Sequence, residues 1–229
     1  MKNILLFISI IPVILISQSS VDLSEFTKLD ANVNKYGVDT MRCEENLSIY
    51  TEFYKQKSYQ AALESWLFLF KNAPKRTKNI YTHGATMFKS FIKNAVDSLE
   101  RENAINNLII IYDYRNYYYP GQEGLVLGYK GSDLYKYRKS DINSVQEAYS
   151  ILKSSLEIDQ YQSSARALNY YFAAGAKLTS KKLLSKEKLI DLFSNVSNII
   201  DYKEAKINQL NFELGQKENL SSKESKLLK

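Results

Sequence analysis

The chain has few of the residues on which many catalytic and structural sites depend. It contains 1 Cys and 1 His, so an intramolecular disulfide, a four-cysteine zinc site and a site with two imidazole ligands are all excluded. Its 8 Gly and 3 Pro are too few for the frequent turns of an all-β sandwich. The hydrophobic content of 45% and the aromatic content of 13% are those of a globular chain. Catalytic sites that require more than one Cys or more than one His are therefore excluded. We predict neither an enzymatic activity nor a cofactor.

An uncharged apolar run near the N-terminus indicates export. Residues 4–16 follow the basic start Met1-Lys2-Asn3, and the run is shorter than the roughly 20 residues that span a bilayer. Ser17 and Ser19 place small residues at the positions of a signal-peptidase site. We therefore predict a signal peptide over residues 1–19, with a buried N-terminal helix as the alternative. The predicted mature chain has no transmembrane helix and lies in the periplasm or on the periplasmic face of the outer membrane.

The charge balance is basic, with 31 Lys and Arg against 25 Asp and Glu. A basic surface is compatible with nucleic acid or with an anionic surface. The lysines are spread along the chain, however, and an exported protein does not meet nucleic acid. We predict a solvated basic face with no nucleic-acid partner, and anionic lipid or polysaccharide remains the alternative.

From Glu45 onward, apolar residues recur at intervals of three and four, which places them on single faces of helices. Two successive stripes are Ile49, Phe53 and Tyr54, then Ala62, Leu63, Trp66, Leu67 and Phe70. Ser58 is a suitable N-cap for the second helix. Pro74 ends that helix, because the residue before a proline resists the α conformation. The pattern predicts a helical hairpin, and Cys43 in front of it is predicted to be buried.

This hairpin resembles a tetratricopeptide repeat, a helix–turn–helix unit of 34 residues. Counted from Cys43, the family's characteristic positions hold Ile49, Phe53, Tyr59, Ala62, Trp66 and Pro74. The small Ala62 lets the two helices cross closely while aromatic side chains fill the surrounding gaps. Asn46 and Tyr50 depart from the family pattern, which usually has Trp or Leu and Gly there.

Later segments continue the resemblance with longer units. Thr77 opens the second unit, Gly84 takes its small position, and His83 faces the partner helix as an interface residue. The second and third units need about eight extra residues each, as in repeats with lengthened helices. A fourth pair covers residues 165–178 and 189–200. The resemblance implies an all-α, TPR-like α-solenoid of about four helix pairs over residues 43–201. We predict a lead-in segment over 20–42, and a helical cap that ends at Gly215 with a frayed polar tail over 202–229.

Stacked repeats of this family form a concave groove that binds partner segments. In the first unit the resemblance places in that groove Glu44, Leu47, Thr51, Tyr54 and Lys55. The predicted partner-binding groove residues are Tyr54, Lys55, Tyr81, Phe88 and Lys89. Their aromatic and basic character suggests a protein segment that is apolar and somewhat acidic. The resemblance thus implies a non-enzymatic interaction scaffold of the bacterial cell envelope.

Two other features of the sequence have competing interpretations. The Gly-rich stretch 120–131 lacks the Gly-Lys-Ser/Thr sequence of a phosphate loop, because Gly131 follows Lys130. We therefore predict close helix packing at Gly128 and Gly131.

Of the 18 tyrosines, five lie within residues 112–119, and they include both faces of one helix. A tyrosine-rich surface can bind sugar rings. The alternative function is therefore a carbohydrate-binding protein of the cell envelope.

Overall fold

A computed structural model describes residues 21–26 and 29–216, and all the regular secondary structure within them is helical. The predicted signal peptide and the part of the predicted tail beyond residue 216 lie outside the described residues. The α-helices are α1 (Thr40–Lys55), α2 (Tyr59–Asn72), α3 (Asn79–Asn94), α4 (Ser98–Tyr118), α5 (Glu123–Arg138), α6 (Ile142–Asp159), α7 (Ala165–Ser180) and α8 (Lys186–Gly215). Two 3-10 turns cover Leu23–Phe26 and Gln160–Gln162. The predicted all-α class is confirmed.

Successive helices pack against each other as hairpins, α1 with α2, α3 with α4, and α5 with α6. Each is joined by a short connection, which brings the two helices of a hairpin alongside each other. α7 then packs on both α5 and α6, and α8 packs on α7. The second helices of the hairpins differ in length: α2 has 14 residues, α4 has 21 and α6 has 18.

The first hairpin follows its predicted boundaries closely. α1 begins at Thr40, three residues before the predicted Cys43, because the Asp39 side chain caps it by accepting a 3.0 Å hydrogen bond from the Arg42 backbone N–H. α2 begins after Ser58, as predicted, although the Ser58 side chain makes no capping hydrogen bond. α2 ends before Ala73-Pro74 as expected, and Cys43 is buried.

Small residues occur where the helices approach most closely. A Cβ atom on Gly84 would lie 2.6 Å from Cζ2 of Trp66, so a larger residue there would displace the indole. On α5, a Cβ on Gly131 would lie 2.6 Å from Cγ of Leu152, and one on Gly128 would lie 3.0 Å from Oγ of Ser155. The prediction of close packing in the Gly-rich stretch is therefore confirmed.

Replacement of Ala62 by leucine tests the tight crossing of α1 and α2. The Ala62 side chain is fully buried, so Ala62→Leu should overpack the hairpin and lower the free energy of unfolding by about 1–3 kcal/mol. Ala61 is exposed on the same helix and is the matched control, because leucine at an exposed helical position is nearly neutral. Urea denaturation of both variants measures the difference. Equal stability of the two would mean that the crossing is not tight.

The predicted lead-in segment is part of the packed structure. Leu23 is fully buried, and its backbone N–H donates to Oδ1 of Asn107 at 2.8 Å. Nδ2 of Asn107 donates in turn to the carbonyl of Val21 at 2.5 Å. One buried amide on α4 therefore holds two backbone groups of the N-terminal segment. The side chains of Leu23, Val21 and Tyr36 add contacts with the main core, so single residues rather than a helical stripe attach the segment.

The predicted division between the repeat domain and the cap falls within a helix. α8 runs without interruption from Lys186 to Gly215, so residues 201 and 202 both lie inside this one 30-residue helix. Gly215 is its last residue, as predicted. One buried stripe of α8 packs against α7 and consists of Leu192, Val196 and Ile199. The helix then continues past that contact.

Candidate functional site

Side-chain contacts link each odd-numbered helix to the next odd-numbered helix. The rings of Tyr54 on α1 and His83 on α3 stack with centroids 3.8 Å apart. Nζ of Lys89 on α3 lies 3.0 Å from Oδ2 of Asp133 on α5. Arg166, on α7, forms an ion pair with the other oxygen of Asp133. We call this shared surface of α1, α3, α5 and α7 the inner face.

Two of the five predicted groove residues are core residues. Tyr81 is 0% exposed and Phe88 is 2% exposed, so neither side chain faces an open groove, and that expectation is corrected. The rings of Tyr118 and Tyr119, at the end of α4, pack on Tyr81 with centroids 6.4 and 5.7 Å away. The long α4 thus covers a position that the family pattern would leave open.

The hydroxyl of Tyr81 is also satisfied inside the protein, because it donates to the carbonyl of Pro74 at 2.9 Å. Phe88 packs between Trp66 and Phe91, with ring centroids 5.6 and 5.3 Å away. Burial of large rings is strongly favourable, and these contacts leave neither ring free for a partner.

The other three predicted residues lie on the inner face but not together. Tyr54 is half-buried against His83, and Lys55 beside it is exposed and paired with Glu52 at 2.7 Å. Lys89 lies further along α3, where its ammonium group contacts Asp133. The structure therefore brings Tyr54 and Lys55 together at one end of the inner face and places Lys89 at a separate, charged cluster.

An open cavity of about 430 Å³ lies between α1 and α3. We call it the first groove; its lining residues are Glu44, Leu47, Ser48, Tyr50, Thr51, Glu52, Lys55, Arg76, Thr77, Asn79 and His83. The lining includes four of the five groove positions that the resemblance implied for the first unit: Glu44, Leu47, Thr51 and Lys55. The cavity combines an apolar side chain with hydroxyl groups and charges of both signs.

His83 forms one wall of the first groove. Its ring packs on α1 of the preceding hairpin, with Tyr54 stacked on it and Tyr50 at its edge, 6.0 Å away, whereas the prediction placed it against the partner helix of its own unit. Its Nδ1 atom is buried without a hydrogen-bond partner among the described residues, so the polar group is not satisfied as expected. Burial lowers the pKa of His83, so the ring is neutral at pH 7. The positive charge on this side of the molecule therefore comes from Lys and Arg alone.

An ion pair fixes one end of the first groove. Arg76 makes two hydrogen bonds to Glu44, Nε to Oε1 at 2.6 Å and Nη2 to Oε2 at 3.0 Å. This hydrogen bonding lowers the pKa of Glu44. The guanidinium of Arg76 also lies 5.2 Å from the ring centroid of Tyr36 in the lead-in segment. The lead-in segment thereby supports the groove, a role that sequence patterning did not reveal.

A buried carboxylate joins three of the inner-face helices. Asp133 is 0% exposed, and Oδ2 accepts a 2.6 Å hydrogen bond from the Tyr112 hydroxyl as well as contacting Lys89. Arg166 binds the other carboxylate oxygen. Burial and the neighbouring carboxylate raise the pKa of Tyr112, which therefore remains a protonated donor. Two cations share one anion here, so the cluster has a net positive charge.

Arg115 adds a further buried positive charge. It is only 7% exposed, and its Nη2 donates to Oε1 of Gln122 at 3.2 Å. Nζ of Lys78 lies 3.3 Å from that same oxygen. Within the described part of the chain, no carboxylate pairs with Arg115, and burial lowers its pKa. Lys78 and Arg115 thus place two cationic groups at the side-chain amide oxygen of Gln122.

Comparison with protein-family models, curated proteins and solved structures finds no significant match to this chain. Interpretation of the site therefore depends on its own chemistry. In the described ranges, no three His, Cys, Asp or Glu side chains are grouped so that they could hold a metal ion. None of the helices described here has the length and apolar character needed to cross a membrane.

The tyrosine-rich stretch of α4 contributes mainly to packing. Tyr112 and Tyr114 are buried, Tyr118 and Tyr119 are half-buried, and Tyr117 alone among these five is clearly exposed, at 41%. The sequence did not identify Asp133 or Arg166 as inner-face residues, nor Arg115 of α4 as a buried cation. One signal in the sequence could have identified Asp133 as a buried acid. It follows the buried Val126 by seven residues, which places both on the core face of the same helix.

Proposed function

We propose that this chain is a non-enzymatic interaction scaffold that holds a segment of a partner protein along its inner face. The observation that carries the proposal is the first groove, where four implied groove residues line one open cavity. A segment in that groove would contact α1 and α3 together. Two rigid helices would then position it without the ordering cost of a flexible loop.

The proposed architecture is a TPR-like solenoid. Its support is the contact of each odd-numbered helix with the next odd-numbered helix, through the Tyr54–His83 stack and the two ion pairs of Asp133. Helix pairs that stack in this way present their first helices on a concave side. The proposed cellular setting is the periplasm or the periplasmic face of the outer membrane, and its support is the apolar run and small residues of 1–19.

The chemistry of the inner face favours a partner segment that is apolar and acidic. Leu47 offers an apolar contact within the first groove. Further along, Lys78 and Arg115 share one amide oxygen, and Lys89 and Arg166 share one carboxylate. An acidic side chain on the partner would be attracted by the exposed Lys78 and by Lys89 and Arg166, which share a single anion.

A single substitution in the first groove tests this proposal. Leu47→Arg would fill the groove with a cation, and we expect it to reduce capture of the partner by about tenfold or more. Leu47 is half-buried, so the variant should remain folded. Ile49→Arg is the matched control, because Ile49 is 39% exposed on the same helix and does not line the groove.

The measurement is affinity capture from envelope extracts, quantified by mass spectrometry for wild type and both variants. The proposal expects at least one protein to be lost with Leu47→Arg and retained with Ile49→Arg. Identical sets of captured proteins for all three baits would exclude the first groove as the binding site.

The alternative function, carbohydrate binding, has weaker support, because Tyr117 is the one clearly exposed ring of the tyrosine-rich stretch.

A further inference from the structure

The last helix pair has an apolar groove that no described residue fills. The cavity between α7 and α8 has a volume of about 500 Å³. We call it the terminal groove, and its apolar lining residues are Leu168, Phe172, Phe193, Val196, Ile200 and Ile207. Several are well exposed: Phe193 by 56%, Ile200 by 48% and Ile207 by 58%. It lies on α7 and α8, away from the first groove, and does not depend on the proposed function.

The packing of the rest of the chain indicates what kind of element fits the terminal groove. α7 packs against both α5 and α6, so the hairpin formed by α5 and α6 has a following helix packed on it. The hairpin of α7 and α8 has the same type of exposed apolar face but no following helix in the described residues. An amphipathic helix is therefore the element whose shape matches this groove.

The exposed residues of α8 form a stripe that is complementary to itself. Phe193, Ile200 and Ile207 are spaced by seven residues, so they lie on one face of the helix. When two such helices pair antiparallel with Ile200 at the centre, Phe193 of one copy lies opposite Ile207 of the other. Ile190 then lies opposite Leu210 of the second copy, and both are exposed, by 64% and 40%. Every large apolar residue of the stripe thereby meets another.

The size of the exposed surface agrees with a stable dimer. Ile190, Phe193, Ile200, Ile207 and Leu210 together expose roughly 500 Å² of side chain, taking about 200 Å² for a complete large side chain. A standard interface buries about 800 Å² on each partner, of which about 60% is apolar. The stripe therefore supplies about the apolar area that such an interface requires.

The charge of α8 is also suited to self-association. The helix carries four Lys against five Asp and Glu, whereas the whole chain has a net charge of +6. Most surfaces of two copies would repel each other, but two α8 helices are close to neutral and meet without that repulsion. We propose that the terminal groove binds α8 of a second copy of this chain, forming an antiparallel, two-fold symmetric dimer centred on Ile200.

Sedimentation analysis of the purified protein over a wide concentration range tests the proposed dimer. Wild type is expected to be dimeric, and Ile200→Glu should weaken dimerisation by about 100-fold or more, because two carboxylates would face each other in an apolar contact. Leu99→Glu is the matched control, since Leu99 is 70% exposed on α4, outside the terminal groove. A circular-dichroism melt confirms that both variants fold.

A mixing experiment identifies the occupant of the groove. Ile200→Glu and Ile200→Lys should each be monomeric, and an equimolar mixture should form a heterodimer, because opposite charges meet at the two-fold axis. Wild-type protein that is monomeric at every concentration would overturn the proposal. So would dimerisation only after removal of residues 217–229, which would assign the groove to that segment, and so would a dimer that Ile200→Glu does not weaken.

Discussion

Replacing Trp66 by alanine is expected to lower the free energy of unfolding by about 3–5 kcal/mol, the usual cost of deleting a fully buried aromatic side chain. The indole is 0% exposed and contacts Phe70 and Phe88, with ring centroids 5.1 and 5.6 Å away. Its six-membered ring also occupies the space that Gly84 leaves open. Truncation would leave a cavity where α2 and α3 meet, and rigid helices cannot collapse fully into it.

A second variant at the same position separates packing from hydrogen bonding. Nε1 of Trp66 donates to the carbonyl of Ile80 at 2.6 Å in a buried setting. Trp66→Phe would keep most of the buried apolar surface but remove the indole hydrogen bond, at a cost of about 0.5–1.5 kcal/mol, because the Ile80 carbonyl in α3 keeps its helical partner. Urea denaturation of the wild type and both variants measures the two effects. A loss below about 1 kcal/mol for Trp66→Ala would show that the indole is not central to the core.

Much of the first hairpin could be predicted from local spacing alone. Ala62, Trp66 and Gly84 were identified because small and large apolar residues alternate at helical intervals, and all three lie in the core. Pro74 marked the end of α2 because the backbone effect of proline needs no tertiary information. These features depend on residues that are near each other in the sequence.

The burial of Tyr81 and Phe88 depended instead on distant parts of the chain. Tyr81 is covered by Tyr118 and Tyr119 at the end of α4, almost forty residues later. A family pattern built on shorter second helices leaves that position open. The length of α4 is therefore the physical reason that Tyr81 became a core residue. Phe88 is buried instead between Trp66 of α2 and Phe91 of its own helix.

The contacts that build the candidate site have the same long-range character. Asp133 meets Lys89 from 44 residues earlier and Arg166 from 33 residues later. Nothing in the local sequence around any of these residues specifies the pairing. The first groove was more accessible to prediction, because its α1 residues repeat at helical spacing and the resemblance assigned them to one face.

Replacing Asp133 by alanine is expected to lower the free energy of unfolding by about 3 kcal/mol, the lower end of the range for removing one partner of a buried ion pair. The carboxylate is 0% exposed and is shared by Lys89, Arg166 and the Tyr112 hydroxyl. The two cations are about one-third exposed, at 32% and 33%, so water can partly replace the lost anion. The buried hydroxyl has no such replacement.

Asp133→Asn is the matched variant for this cluster. The amide has nearly the same volume and keeps one carbonyl oxygen that can accept the Tyr112 hydroxyl, but it removes the negative charge. We therefore expect Asp133→Asn to be less destabilising than Asp133→Ala. Because Asp133 links α3, α5 and α7, hydrogen exchange should also speed up in these helices more than in α1 and α2. Equal exchange in all helices, or equal stability of both variants, would mean that the charged cluster does not hold the inner face together.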